Sequence, residues 1–296
     1  MIKIAVVDIT QEEFWKIPHE FMQDLIESFP MIDFIHAKNL MSLKKDIEDC
    51  QAIISIPTLP SVVKRMKSLD SIFVLGSGIP EVVLQLQEKK EELSIRTMTG
   101  INASSVADQA LYLALKALRA DGLSLSPKRS DQLHSLIIGT GKVAKNLEDK
   151  FLSLFKTTTI LGRTNKGFNN FIDFDSLNEE VLATYDVVVI ATAYNDQTKK
   201  LINKELILKL NKTAIIVNVA RAEFFEELDL LEILQSNPAL SYLTDVTHEE
   251  IYPADGALNG LSNFYHTPHM GGTYEGIWND YLKELKIQLK EYLDAK

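Results

Sequence analysis

Residues 135–144 read SLIIGTGKVA: a short apolar run, two glycines separated by one residue, and the start of a helical pattern. Few local features constrain a fold as tightly. Gly139 permits a sharp turn out of the strand, Gly141 lets backbone approach a bulky anion, and small Ala144 lets the helix pack close to the strand. The helix N-terminus then presents backbone N–H groups and a favourable dipole to that anion. The sequence therefore asks for a parallel α/β unit with a dinucleotide phosphate site at this turn.

The rest of the chain supports an α/β class, because apolar runs alternate with helical patterns throughout its 296 residues. In the first third, IKIAVVD, DFIHA, AIISI, SIFVLG and IRTM read as strands. EEFWKIPHEFMQDLIESF and PEVVLQLQEKKEEL read as amphipathic helices between them. NASSVADQALYLALKALRADG follows as a long helix, capped by Asn102 or Ser104 and ended by Gly122. Its apolar residues cover more than one face, which points to packing at a domain or subunit junction. SLSPKRSDQLH reads as a connector to the second α/β series.

Composition narrows the function. A net charge of −10 and the lack of a dense Lys/Arg block argue against nucleic acid. KRMK and EKKEE read as solvated helix faces. No apolar run is long enough for a membrane span, and MIKIAVVDIT reads as a strand rather than a signal peptide, so the expected location is the cytoplasm. The single cysteine, Cys50, excludes a disulfide framework and reads as a buried apolar residue.

The strand TTTILG ends in Arg163, Thr164 and Lys166, where a carboxylate would hold the ribose hydroxyls of NAD. A guanidinium, a hydroxyl and an ammonium suit a 2′-phosphate instead. NADP is therefore favoured over NAD.

Four stretches, in order, resemble one family, the D-isomer-specific 2-hydroxyacid dehydrogenases. SSVADQAL is similar to that family's VAE/VAD helix. LIIGTGKVA is similar to its nucleotide turn. DVVVIATAYNDQTKKLINKELILKLNKTAIIVNVARAEFFEELDLLEIL is similar to its long central block, and YLTDVTHEEIYPADGALNGLSNFYHTPHMGG to its D-V-x-x-x-E and T-P-H-x-x-G segments. The resemblance covers most of the chain from Val106 onward. It implies two Rossmann-like or flavodoxin-like parallel-sheet lobes with an active-site cleft between them. Residues 1–101 plus 271–296 would form the substrate domain, and 102–270 the dinucleotide-binding Rossmann domain. It also implies a homodimer paired through the VADQAL helix.

Residue roles carry over by motif. Arg221 would hold the substrate carboxylate, His269 would be the acid/base, and Glu250 would pair with its imidazole. Gly139, Thr140, Gly141, Lys142, Val143, Arg163, Thr164, Lys166, Ala193, Val219, Ala220 and Asp245 would contact the cofactor. Ser77 and Gly78 would offer backbone groups to the substrate. These types suit the reaction, since hydride arriving at a ketone leaves charge on oxygen, which needs a proton donor and a fixed cation. His266 falls on the preceding strand and reads as structural; a His266–His269 metal pair has the wrong spacing. The chain departs from the family pattern at Pro80, Ala193, Ala222 and Ile251. The implied function is reduction of a small 2-keto acid, with glyoxylate and hydroxypyruvate as plausible substrates. A phosphoglycerate dehydrogenase and a nucleotide-sensing binding protein are the alternatives.

Overall fold

A computed structural model of the chain describes residues 1–8, 15–38, 47–56, 60–76, 78, 92–123, 126–249 and 252–296. Ser77, Pro80, Glu250, Ile251 and most of PEVVLQLQEKKEEL lie outside the described residues. The chain divides into two compact units, residues 1–102 with 273–296, and residues 103–272.

The first unit holds β1 (Ile2–Val7), β2 (Ile32–Ala37), β3 (Ala52–Ser55), β4 (Ser71–Val74) and β5 (Ser94–Thr97). They pair in the order β2-β1-β3-β4-β5, all parallel. That is the flavodoxin-like order of a doubly wound sheet. Side chains alternate across the sheet, so Ile4, Val6, Ile54 and Phe73 join one core, and Ala5, Val7, Ile53 and Ile72 another. The first core is covered by the His19–Ser28 helix and by Ile277–Asp294, which returns from the far end of the chain. The latter buries Tyr281, Leu285 and Leu289, one helical face. KRMK is not a helix face: the helical turn Pro60–Val63 ends before it, and Met66 is buried.

The second unit holds β6 (His134–Ile138), β7 (Thr157–Gly162), β8 (Phe171–Asp173), β9 (Val187–Ile190), β10 (Ile215–Asn218), β11 (Ser241–Thr244) and β12 (Phe264–His266). They pair in the order β12-β11-β10-β9-β6-β7-β8, all parallel. Counted from β6, this is the Rossmann order with a seventh strand, and its direction of winding reverses between β6 and β9. Alternation again feeds two cores: Leu136, Ile138, Val188 and Ile216 face one way, Ile137, Val189, Ile215 and Val217 the other. The helix Ala103–Leu118 packs on the second core through Ala107, Ala110, Leu113, Ala114 and Ala117. It ends earlier than Gly122: Ala120 already takes a left-handed turn at φ 55°, and Gly122 follows at φ 73°. Tyr112 and Leu115 stay exposed. The second unit runs through Gly272, and the Gly271 N–H within it is bonded to Asp245 at 2.7 Å. Among the described residues, no helix is long and apolar enough to cross a membrane.

Candidate active site

Strand register lines up Ile138, Ile190, Asn218, Thr244 and His266 as the last residues of five neighbouring parallel strands. Most of the residues singled out in the sequence lie just past that row, at the carboxyl edge of one sheet. Gly139 follows β6, Arg163 follows β7, and Ala193 lies in the loop after β9. Val219, Ala220 and Arg221 follow β10, Asp245 follows β11, and His269 stands three residues past β12. In open parallel sheets this edge, at the reversal of winding, is where ligands bind.

The glycine turn sits at that reversal. Gly139 has φ 138°, and a Cβ there would lie 2.2 Å from the Ala191 carbonyl oxygen, so two backbones touch where β6 and β9 diverge. Gly162 makes room for the Thr140 methyl in the same way, at 2.3 Å. Gly141 differs, since a Cβ there would face open space. Neither protein packing nor a positive φ demands a glycine at 141. The helix Lys142–Leu152 starts there with no side-chain cap and no acidic residue in its first turn. Its N-terminus suits a pyrophosphate.

Past β7, Arg163, Thr164 and Lys166 are exposed. Arg163 donates to the Gln197 amide oxygen, in the loop after β9. That loop is braced by Asn195, which accepts from the Gln197 and Thr198 N–H groups, and by the Thr198 hydroxyl bonded to the Ala193 carbonyl at 2.7 Å. The turn carrying Lys166 is held by Asn165, which accepts from Gly167 and Phe168, and by buried Glu148, which accepts from the Asn169 N–H at 2.9 Å.

Past β10, fully buried Asn218 shapes the turn that presents Arg221. Its amide donates to the Arg221 carbonyl at 2.7 Å and to the Tyr242 hydroxyl at 2.9 Å, and its oxygen accepts from the Ala220 N–H. The Arg221 side chain is exposed, with one guanidinium N–H on the Ala220 carbonyl. Ala222 is buried.

Past β11 and β12, Asp245 is 3% exposed and works as a hub. Oδ1 accepts from the Thr267 hydroxyl at 2.6 Å and the Met270 N–H at 3.1 Å, and Oδ2 accepts from the Gly271 N–H. Burial raises its carboxyl above the usual range, while these donors and the charge of His269 pull it back down. His269 is exposed and left-handed at φ 48°, with its N–H on the Thr267 carbonyl. A non-glycine residue keeps that conformation only where its surroundings impose it. His266, three residues earlier, stacks among Tyr252 and Phe264, with Nδ1 buried and without a hydrogen-bond partner. Burial lowers its pKa.

Gly78 lies in the first unit, beyond β4. The sequence reading missed Gln109, Glu148, Asn218 and Thr267. Asn218 carried a usable signal: a polar residue inside the apolar strand AIIVNV needs a buried partner.

Residues 107–271 match the family described as D-isomer specific 2-hydroxyacid dehydrogenase, NAD binding domain. The formate dehydrogenase of Neurospora crassa is 27% identical over 288 residues, covering 85% of this chain and 76% of its own. Two solved structures share the fold across 99% of this chain and 95% of their own. The Granulicella M. formate dehydrogenase does so at TM-score 0.82 and 17% identity. The NAD+-bound 3-phosphoglycerate dehydrogenase of Entamoeba histolytica does so at 0.80 and 19%.

Proposed function

This chain belongs to the D-isomer specific 2-hydroxyacid dehydrogenases, and from that premise we propose that it reduces a small 2-keto acid to the 2-hydroxy acid, with glyoxylate and hydroxypyruvate as the substrates to try first. The observation that carries the reading is the shared carboxyl edge, where a cation, an imidazole and a glycine turn follow parallel strands of one sheet. A bound nicotinamide dinucleotide supplies the hydride. Gly139, Thr140, Gly141, Lys142 and Val143 hold its phosphates, and Ala193, Val219, Ala220 and Asp245 line its path. Arg221 grips the carboxylate and polarises the neighbouring carbonyl. His269 delivers the proton as negative charge develops on that oxygen. Glu250 as partner of His269, and Ser77 and Gly78 as carboxylate donors, belong to the same proposal.

Preference for NADPH is the finer part of this reading. Arg163 has a neutral partner, Gln197, which a 2′-phosphate can displace, and Thr164 and Lys166 stand close in sequence. We also propose a cytoplasmic homodimer paired through Ala103–Leu118, whose exposed Tyr112 and Leu115 support it; light scattering at micromolar concentration tests the pairing.

The similarity to formate dehydrogenases favours a second reading, oxidation of formate. That reaction gives CO2 and needs a cation for the carboxylate, but no proton moves at the substrate oxygen. One assay separates the two. Reduced-cofactor absorbance is followed with glyoxylate, hydroxypyruvate and phosphohydroxypyruvate in the reductive direction, and with formate in the oxidative direction, using both cofactors. Turnover of formate alone sinks the keto-acid reading. Cofactor binding with no turnover in any arm would leave a nucleotide-sensing role.

A further inference from the structure

We propose that Gln109 is a positioning residue for His269: through Thr267 and Asp245 it holds the left-handed turn that presents the imidazole. The inference rests on the reading of His269 as acid/base. Gln109 lies on the helix Ala103–Leu118, half-buried, away from the strand ends in sequence. Its Nε2 lies 2.7 Å from Thr267 Oγ1 and 3.3 Å from Asp245 Oδ1.

The protons fix how this group is oriented. An ionised carboxylate only accepts, so the Thr267 hydroxyl must give its single proton to Asp245 Oδ1, 2.6 Å away. The hydroxyl oxygen then has only lone pairs to offer Gln109. An amide nitrogen satisfies both oxygens, whereas an amide oxygen would face two acceptors. The stem of Gln109 contributes as well: a Cβ at Gly271 would lie 3.1 Å from its Cβ and Cγ and 2.6 Å from Asp245 Oδ2.

The turn 267–271 is therefore held at both ends. Thr267 is bonded to Gln109 and Asp245, and Met270 and Gly271 donate their N–H groups to Asp245. His269 stands between these anchors at φ 48°. Without the Gln109 donor, Thr267 Oγ1 and Asp245 Oδ1 each lose the partner that the helix supplies, and the turn is held from its own side alone.

The test compares Gln109→Met, which keeps the stem and removes the donor, with Gln109→Glu, which keeps the length and turns an acceptor toward Asp245. His269→Ala is measured in parallel. For the best keto acid, kcat should fall about 10- to 100-fold in both Gln109 variants, the scale expected for a small misplacement of a reacting group. KM for the cofactor should change little. Gln109→Glu should show a deeper loss at neutral pH and recover toward Gln109→Met as the pH falls, because two adjacent carboxylates take up a shared proton. Asp245, in contact with the side chain at position 109, and His269 both enter this profile, together with the proposed partner Glu250. If His269→Ala is inactive while both Gln109 variants keep wild-type kcat at every pH, or lose only affinity, the inference is overturned and the acid/base reading stands. If His269→Ala keeps its turnover, the reading fails and takes the inference with it. Should Gln109→Glu fail to fold, the kcat of Gln109→Met decides.

Discussion

Along the five-stranded sheet, register aligns Val7, Ala37, Ser55, Val74 and Thr97 as the closing residues of the strands. Along the seven-stranded sheet the matching row holds Ile138, Ile190, Asn218, Thr244 and His266. Both sheets are parallel and doubly covered, and both interiors are aliphatic. They differ in what they bury at this edge. Among the described residues, the buried polar side chains of the first unit are Ser55, Ser71 and Gln288. The second buries Asn218, Thr244, Asp245 and Thr267 together, where each shapes a turn. A buried polar group is costly unless it is paired, so such a concentration marks an edge where geometry matters more than packing alone.

The sharpest way to break this comparison is to remove the presented groups and leave the scaffold intact. His269→Ala is expected to lower kcat for keto-acid reduction about 10²–10⁴-fold, the usual worth of a positioned acid. Arg221→Ala should cost a similar factor, with a rise in KM for the keto acid. Steady-state kinetics check both, and unchanged turnover would show that the polar edge is only structural.

Next in size is the scaffold itself. Asn218→Ala removes a buried amide and takes one of its partners from the Tyr242 hydroxyl, so it should destabilise the chain by about 1–3 kcal/mol. Ser55→Ala, at the corresponding row of the other sheet, should cost less. Urea unfolding of the two variants decides; equal losses would erase the contrast.

Arg163→Ala comes third. One well-formed charge-assisted bond is worth roughly 1.5–3 kcal/mol, less when exposed, so the ratio of kcat/KM for NADPH over NADH should fall about tenfold. A wild-type preference for NADH, or an unchanged ratio, rejects the assignment.

The smallest effect concerns pH. Burial holds the His266 imidazole below its ordinary value, so the folded chain takes up that proton less readily than the unfolded one. The stability tied to the neutral ring is complete above the unfolded pKa near about 6.5 and is lost as pH falls below it. His266→Phe should flatten the fall of Tm between about pH 7 and 5. His36, lowered chiefly by burial in the first unit, should leave a residual slope in that variant.

Much of this was legible in the sequence because it rests on local rules. Short β-branched runs gave the five strands of the first sheet, and the glycine turn marked the strand that opens the second α/β series. What stayed hidden depended on partners far along the chain. Gln109 looks like an ordinary polar helix residue until Thr267, 158 positions away, reaches it. Thr267 itself reads only as part of T-P-H. β8 escaped notice because it is a three-residue edge strand, half-exposed, with little apolar signal. The helix end at Leu118 was misplaced because Ala120, rather than a glycine, takes the first left-handed turn.

The helix Ile277–Asp294 has a further consequence for how this chain leaves the ribosome. It supplies Tyr281, Leu285 and Leu289 to the core of a lobe whose strands were made some two hundred residues earlier. That lobe cannot close during its own synthesis; the second, uninterrupted in sequence, can be complete first. Until residues 277–294 are made, the core that holds Phe21, Leu25 and Phe73 has only part of its cover.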